Sequence, residues 1–458
     1  MMNRRDFFRT CGVGASLMVA PGMAGAIGGE GNLVRPSAEA LAWADCEIGV
    51  LIHFDIHVFE PGYKWRRQWG YHPDPAIFNP SQLDTDQWIE AARDAGAQYA
   101  VLVAKHCSGF SLWPTAAHDY SVKSTPWRNG GGDIVADFTA SCRKYGVKPG
   151  IYCSTAANAY FLVDNPGRVS TGDPEAQKRY NQVVIQQLTE LWSNYGELFE
   201  IWFDGGVLAP EQGGPDLMPL LDLQPNAIYF QGPAQAKNLI RWSGNERGIA
   251  PDPNWSTANA ATNASGSIEI RDLHGDPEGK IWCPAEADVP IRKWASFAGG
   301  WFWKAGQDSS LRSLDQLAEK HRQSVGRNAN LLLGMVVDDR GLVPDADRGL
   351  LKAFGEEIRR RFADPIAETS GRGVSLEIDL GKNSEPSYFV IMEDIVQGQR
   401  IRKHSVEGFN GLFWAPLVRG SSVGHKRIHH VMNLRMSRVR LHIEEAAAEP
   451  VIRHFRVY

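Results

Sequence analysis

The chain has 458 residues, too many for one small domain but enough for a barrel of about 250–400 residues and a smaller second domain. Hydrophobic residues make up 43% and charged residues 22%, a composition that excludes a largely disordered chain. The net charge is −5 and no basic cluster stands out, so we expect no nucleic-acid partner.

The N-terminus has the pattern of an export signal. Arg4 and Arg5 precede a mildly apolar stretch at 11–20, and small residues follow at 24–26. This combination resembles a twin-arginine signal, so residues 1–26 are predicted to be removed on export. The alternative is a membrane anchor, but the apolar run is shorter than the roughly 20 residues of a spanning helix. We therefore expect no stable membrane anchor and a periplasmic or secreted protein.

Five cysteines remain outside the predicted signal. They are Cys46, Cys107, Cys142, Cys153 and Cys283. An odd number without paired spacing argues against a disulfide framework and against a cysteine-based zinc site.

Four apolar runs recur at intervals of about fifty residues, and each ends in polar or small residues. They are IGVLIHF with His53, YAVLVAKH ending at His106, KPGIYCS ending at Ser154, and LFEIWFDGG with Asp204. The interval suits a strand, a loop, a helix and a return, as in a βα barrel.

The elements between and after these runs complete the barrel pattern. Amphipathic spacing predicts helices over 84–97, 133–145, 176–195, 314–325 and 348–362. Further strand candidates are AIYFQG, LIRWSGNE, KIWCPAE and ANLLLGM. The sequence therefore predicts a (β/α)8 TIM-like barrel over 27–362, whose active site would lie at the C-terminal ends of the strands.

The hydrophobic pattern of the sequence changes near Ala363. Short alternating runs, SLEIDL, YFVIMEDI, SRVRLHI and VIRHFRVY, are separated by turn residues. They predict a C-terminal antiparallel β-sandwich over 363–458. Such a domain is either a carbohydrate-binding module or a buttress for the barrel, and we expect a buttress.

In the run FEIWFDGGV, Asp204 lies at the end of the fourth predicted strand. Taken alone, Asp-Gly-Gly is most simply a turn. A carboxylate at the rim of a barrel is also a candidate nucleophile, because catalytic residues of such barrels come from strand ends.

Eight motifs follow one another over most of the chain. They are IHF (52–54), QWG (68–70), FNPSQLDTDQW (78–88), AKHCSGFSLWPT (104–115), DYSVKSTPW (119–127), GDIVADF (132–138), WFDGG (202–206) and SVGRNANLLL (324–333). Together they resemble retaining alpha-L-fucosidases of glycoside hydrolase family 29. The stretches RWSGNERG, PAEADVPIR and EDIVQGQRI are similar to the alpha-1,3/1,4-fucosidase branch of that family.

The resemblance implies a double displacement that needs two carboxyl groups. Asp204 would be the nucleophile, and Glu246 in GNERG would be the acid/base, with Glu286 in PAEADV as the second candidate. A retaining enzyme places its two carboxyl groups about 5–5.5 Å apart, and the acid needs a pKa raised by burial. No cofactor and no metal are implied, and the expected partner is a fucosylated oligosaccharide or glycoconjugate.

The resemblance also implies a sugar-binding set, namely His53, Trp69, His106, Tyr152, Trp202 and Trp301. Imidazoles donate to and accept from sugar hydroxyls, and aromatic faces pack against the C6 methyl group of fucose. The alternatives are structural histidines and core tryptophans.

The chain departs from the family pattern around the sugar. Cys107 stands where a second adjacent histidine is usual, and Gln68 stands where a glutamate is usual. Asp55 replaces a usual glycine, and His57 lies just beyond it. These changes alter hydrogen bonding to the sugar rather than the nucleophile, so a related sugar stays open as substrate.

Two other classes of function compete with a glycosidase. A metal-dependent hydrolase could use His53, His57 and His106 on the barrel rim with Asp204 as a further ligand, although no H-E-x-x-H helix is present. A catalytically impaired glycan-binding homologue is the other, and the retained carboxyl residues argue against it.

Overall fold

The computed structural model describes residues 26–27, 33–64, 67–68, 70–262, 268–270, 272–432 and 434–458. The predicted signal, except for Ala26, lies outside these residues, and so does Trp69.

Eight parallel strands close into a barrel, which confirms the predicted fold class. They are β1 (Ile48–His53), β2 (Tyr99–Lys105), β3 (Lys148–Cys153), β4 (Glu200–Trp202), β5 (Ile228–Phe230), β6 (Leu239–Trp242), β7 (Ala285–Pro290) and β8 (Ala329–Val336). Both faces of most strands are buried: in β2, Val101 and Val103 belong to one apolar cluster and Leu102 to another. This double burial explains why the strands read as continuous apolar runs rather than as alternating patterns.

Helices cover the barrel on part of its circumference. They are α1 (Ala38–Ala44), α2 (Thr85–Asp94), α3 (Ile134–Tyr145), α4 (Pro174–Ser193), α5 (Leu314–Ser324) and α6 (Asp345–Phe362). The five predicted helices are confirmed, with side-chain caps from Asp84, Asp133, Asp173 and Ser313 at four of their N-termini. None of the helices within the described ranges is long and apolar enough to cross a bilayer.

Shorter elements lie before and between the barrel strands. The 3-10 helices are Ile56–Val58, Pro75–Ile77, Val122–Ser124, Trp127–Gly130, Pro210–Gln212, Met218–Leu223, Phe297–Gly300 and Asp308–Ser310. Two-residue strands are Ala26–Ile27, Val163–Asp164, Arg168–Val169, Thr257–Ala258, Ala261–Thr262, Ile268–Glu269 and Ile281–Trp282. Apart from β5 and β6, the described residues between β4 and β7 contain only such short elements, so loops replace the α-helices there.

The seventh strand differs from its prediction. The run KIWCPAE divides, because Ile281–Trp282 pairs antiparallel with Thr257–Ala258 while the barrel strand starts only at Ala285. Pro284 separates the two pieces and has no N–H for either ladder. The expected strand end at Glu286 is therefore wrong, and Glu286 is the second residue of β7.

Two antiparallel sheets follow the barrel, consistent with the predicted sandwich. Their strands are β9 (Ala367–Arg372), β10 (Ser375–Ser384), β11 (Tyr388–Glu393), β12 (Ile401–Phe409), β13 (Trp414–Gly420), β14 (Arg427–His430), β15 (Met436–Ala446) and β16 (Val451–Val457). One sheet has the order β9-β16-β11-β14, and the other combines β10, β15, β12 and β13 with Ala26–Ile27. A shared apolar cluster that includes Phe389, Leu441 and Phe455 lies between them.

Candidate active site

The predicted site residues fall into two levels of the barrel. His53, His106, Tyr152, Trp202 and Asp204 lie at the C-terminal ends of β1 to β4 or within two residues of them. Glu246 and Trp301 lie in the loops after β6 and β7. Glu286 alone lies inside the barrel, near the start of β7.

Asp204 is held by the neighbouring strand. The hydroxyl of Tyr152 donates a hydrogen bond of 2.9 Å to Oδ2 of Asp204. Burial raises the pKa of Tyr152 well above its usual value, and the charge of Asp204 adds to this shift. The phenol therefore keeps its proton and acts as a fixed donor to the carboxylate.

The two glycines after Asp204 form the turn that the sequence indicated. Gly205 and Gly206 have φ angles of +74° and +78°, a conformation that side chains disfavour. The amide of Gly205 donates to Oε1 of Gln231 at the end of β5, at 3.1 Å. The turn chemistry and the rim position are thus compatible, because the turn fixes the carboxylate where β4 ends.

Histidines and aromatic rings form one wall beside Asp204. The ring centroids of His53 and Trp301 are 4.9 Å apart, and those of His53 and His106 are 6.0 Å apart. His106 stacks on Tyr152 at 5.9 Å. Burial, followed by the neighbouring His106, lowers the pKa of His53 well below its usual value, so its imidazole is neutral at neutral pH. A neutral imidazole can donate from one nitrogen and accept at the other.

Phe302 and His57 belong to the same wall, although neither was in the predicted sugar-binding set. The Phe302 ring meets His53, His57 and His106 edge to face at 5.2, 5.5 and 5.0 Å. Burial, with a contribution from His106, lowers the pKa of His57 to about 3. The only sequence signal for Phe302 is its position next to Trp301.

Glu246 reaches this wall through Trp301. The indole Nε1 of Trp301 donates to Oε2 of Glu246 at 3.0 Å. The described contacts therefore lead from Asp204 through Tyr152, His53 and Trp301 to Glu246. Both Glu246 and Trp301 are partly exposed, so the Glu246 carboxyl is accessible from outside the barrel.

Glu286 occupies a different environment. Its side chain is fully buried and accepts hydrogen bonds from the Tyr99 hydroxyl at 2.6 Å and the Trp202 indole at 3.0 Å. Burial raises the pKa of Glu286 and of its neighbour Glu200, and the charge of Glu286 raises that of Glu200 further. Desolvation by burial disfavours the charged form of both carboxyls.

Trp202 lies between these two levels. Its ring stacks on Tyr152 at 5.1 Å and on Phe230 at 4.0 Å, and the residue is 6% exposed. Because its N–H donates to Glu286, the indole ring is held in one orientation and position. It supports Tyr152 from below, and Tyr152 in turn contacts Asp204.

Two of the departures from the family pattern, Gln68 and Cys107, lie in different places. Gln68 is exposed, and its Oε1 accepts from the amide of Lys64 at 2.7 Å. Cys107 is buried, and one donor atom from each of Cys107, His106 and Asp204 lies within 4.8 Å of the other two. The alternative metal site was expected to contain His53, His57, His106 and Asp204. Among the described residues, the group whose donor atoms lie close together is instead His106, Cys107 and Asp204.

A cavity of about 720 Å³ opens beside the Asp204 turn. Its lining comes from the loops after β4, β5 and β6, including Gly205, Gly206, Gln231, Trp242 and Leu273. The indole of Trp242 is anchored by a 2.6 Å hydrogen bond from Nε1 to Oδ1 of the buried Asp288. Because these loops stand where a regular barrel has helices, the cavity extends outward from the strand ends.

Comparison with known proteins gives one consistent group of relatives. Residues 40–360 match the family model described as "Alpha-L-fucosidase". The chain is 31% identical to "Alpha-L-fucosidase 1" of Arabidopsis thaliana, over 93% of this chain and 88% of the plant protein. A structure described as a putative alpha-L-fucosidase from Bacteroides thetaiotaomicron has a TM-score of 0.85 and 38% identity, covering 93% of this chain and 99% of that one. A glycoside hydrolase 29 family member from a rumen bacterium has a TM-score of 0.78 and 30% identity, over 94% and 78% of the two chains.

Proposed function

The chain belongs to the alpha-L-fucosidase family of glycoside hydrolases, family 29, and we propose that it is a retaining exo-glycosidase. Its substrates are terminal alpha-L-fucosyl linkages, of the alpha-1,3/1,4 type, in fucosylated oligosaccharides or glycoconjugates. The observation that supports this most directly is the Asp204 carboxylate at the end of β4, with a phenol donor at 2.9 Å and a wall beside it that contains the neutral imidazoles of His53 and His57.

Asp204 is the proposed nucleophile. It attacks the anomeric carbon and forms a glycosyl ester as the leaving oxygen departs. The hydrogen bond from Tyr152 stabilises the carboxylate before attack and after the ester is released, which keeps the oxygen oriented toward the sugar.

Glu246 is the proposed acid/base, and its position favours it over Glu286. The acid/base must reach the leaving oxygen and later a water molecule. Glu246 is partly exposed on the loop after β6, in the same loop region as the cavity-lining Trp242. Glu286 is fully enclosed and accepts hydrogen bonds from Tyr99 and Trp202, so we assign it a positioning role beneath Trp202.

The imidazoles and the aromatic rings supply the proposed fucose site. His53 and His106 can bind hydroxyls, while the partly exposed Trp301 face packs against apolar C–H groups. Trp69 stays in the proposed set from its motif. The partly exposed positions of His106 and Trp301 leave them accessible to a sugar that enters from the rim.

Two further proposals concern the rest of the chain. The paired Arg4 and Arg5 motif supports export to the periplasm or beyond the cell. For residues 363–458 we propose a buttress, because buried hydrogen bonds tie this region to the barrel, such as that from the Asn254 amide to the Ser422 hydroxyl.

The stereochemistry of the product tests the proposed reaction. Hydrolysis of alpha-L-fucosyl fluoride followed by proton NMR should show alpha-L-fucose first, with the beta anomer appearing only by mutarotation. First release of the beta anomer would contradict retention. Absence of any turnover, also of Lewis-type oligosaccharides and of galactosides, would support a binding protein instead.

Azide rescue separates the two acid/base candidates. Glu246→Ala should lower kcat by about 10²–10⁴-fold, and added azide should restore turnover and yield fucosyl azide. Glu286→Gln keeps an acceptor for Tyr99 and Trp202, and its activity should not respond to azide. Rescue of the Glu286 variant rather than the Glu246 variant would reverse the assignment.

A further inference from the structure

Three different donor groups lie close together, and one of them is the proposed nucleophile. His106 and Cys107 follow β2 directly, and Asp204 follows β4. An imidazole nitrogen, the thiol sulfur and a carboxylate oxygen all lie within 4.8 Å of one another. The proposed reaction has no use for the sulfur atom, which leaves this cluster without an explanation from hydrolysis alone.

Nitrogen, sulfur and oxygen donors together are the ligands that Zn²⁺ prefers. Zinc binds Cys sulfur at about 2.3 Å and His nitrogen or carboxylate oxygen at about 2.0–2.2 Å, in a tetrahedron. Ligand atoms of such a tetrahedron are about 3.3–3.8 Å apart, so small rotations of the three side chains would bring them to coordinating distance. Three protein ligands leave a fourth position for water.

The surroundings of the cluster suit a bound dication. Tyr152 donates to one oxygen of Asp204, and such a hydrogen bond orients a ligating carboxylate.

We propose that His106, Cys107 and Asp204 form a zinc-binding site, and that zinc inhibits the enzyme by occupying the nucleophile. Zinc and a glycosyl ester cannot share the same carboxylate, so a bound ion blocks the first displacement. The inhibition rests on the proposed function, whereas the binding does not. The cysteine spacing pointed away from zinc because the ligands come from two adjacent residues and a distant strand end.

Binding is tested first, without reference to activity. The full chain is stripped with a chelator and titrated with Zn²⁺ by calorimetry, then with Co²⁺, whose thiolate complex gives a near-ultraviolet charge-transfer band. We expect one ion per chain, and at least a tenfold weaker Kd with loss of that band in Cys107→Ser. Cys46→Ser, a buried cysteine before β1 at the opposite end of the barrel, is the matched control. An unchanged Kd in Cys107→Ser, or no binding to the wild type, would overturn the site.

Inhibition is tested separately on alpha-L-fucosyl fluoride. Wild-type turnover should fall in proportion to zinc occupancy and recover with chelator, while Cys107→Ser should need at least ten times more zinc. Zinc binding with undiminished turnover, or loss of turnover on chelation, would overturn the inhibitory role. If the protein hydrolyses no fucoside at all, the calorimetry still decides whether the site exists.

Discussion

Asp55 has a buried carboxyl group whose ionisation opposes folding. The residue is 1% exposed, and it accepts hydrogen bonds from the Ser108 hydroxyl at 2.6 Å and the His57 amide at 3.0 Å. Burial outweighs these two donors and raises the pKa of Asp55 from 3.8 to about 7. Between pH 3.8 and about 7, the folded protein therefore keeps a proton on Asp55 that the unfolded chain has lost.

The consequence is a pH-dependent effect of Asp55→Asn. The stabilisation from the protonated carboxyl is fully present below pH 3.8 and is lost as the pH rises through about 7. Asparagine is neutral throughout, so the variant should gain stability relative to the wild type from pH 5 to pH 8. The gain over this interval is at most about 3 kcal/mol, because the folded carboxyl ionises about two pH units above pH 5, at about 1.4 kcal/mol per unit. Urea unfolding at both pH values measures it.

The exposed Asp379 provides the control for this change. Asp379→Asn should shift the stability equally at pH 5 and pH 8. If Asp55→Asn followed the wild-type pH dependence as closely as this control does, the buried carboxyl would not be the titrating group.

At the scale of the elements, the sequence predicted the barrel well because its strands are apolar on both faces and end in polar residues. That pattern placed His53, His106 and Asp204 near one rim. It failed at Glu286, since an apolar run does not reveal that Ile281–Trp282 and Ala285–Pro290 pair with different partners. The pattern also missed β9, whose sequence AETSGR has almost no apolar residue and owes its strand to pairing with β16.

The cavity beside Asp204 was beyond prediction for a different reason. Its walls come from loops after three strands, and their meeting depends on tertiary folding rather than on local pattern. Met218 and Leu273 line this cavity and are 45% and 46% exposed, so their apolar surfaces are available to a bound molecule. A volume of about 720 Å³ is large enough for more than one sugar ring of a leaving group.

Binding of the leaving group is therefore expected to depend on these two side chains. Met218→Ala and Leu273→Ala should each raise KM for a fucosylated oligosaccharide about two- to tenfold, as the loss of some apolar contact predicts. Neither change should alter kcat/KM for fucosyl fluoride, because fluoride has no ring to place in the cavity. Steady-state kinetics with both substrates measures the difference.

Met432, an exposed methionine of the C-terminal region, is the matched control. Met432→Ala should leave both substrates unaffected. Equal losses on the oligosaccharide and the fluoride in the cavity variants would point to a disturbed nucleophile turn instead of a leaving-group site.

At the scale of the whole molecule, the sandwich and the barrel share polar contacts as well as apolar ones. Arg427 of β14 forms two hydrogen bonds with the Asp252 carboxylate, at 2.8 and 2.9 Å. The Asn328 side chain at the start of β8 accepts from the His425 amide and donates to the Ser256 hydroxyl. These contacts fix the loop after β6, which also contains Glu246.

Removing Arg427 should therefore weaken the whole molecule. Arg427→Ala removes a buried guanidinium and its bidentate contact with Asp252, whose side chain is 35% exposed, and should cost about 1–3 kcal/mol of unfolding free energy, seen as a lower urea midpoint. The matched control is Arg435→Ala, which breaks an exposed 2.7 Å pair with Glu385 and should change stability by less than about 1 kcal/mol. Equal effects of the two changes would mean that the Arg427 contact adds no more than a surface ion pair, and the sandwich would then lose its proposed role as a buttress. If the buttress role holds, Arg427→Ala should also show a lower kcat as the loop with Glu246 loosens, and Arg435→Ala should not.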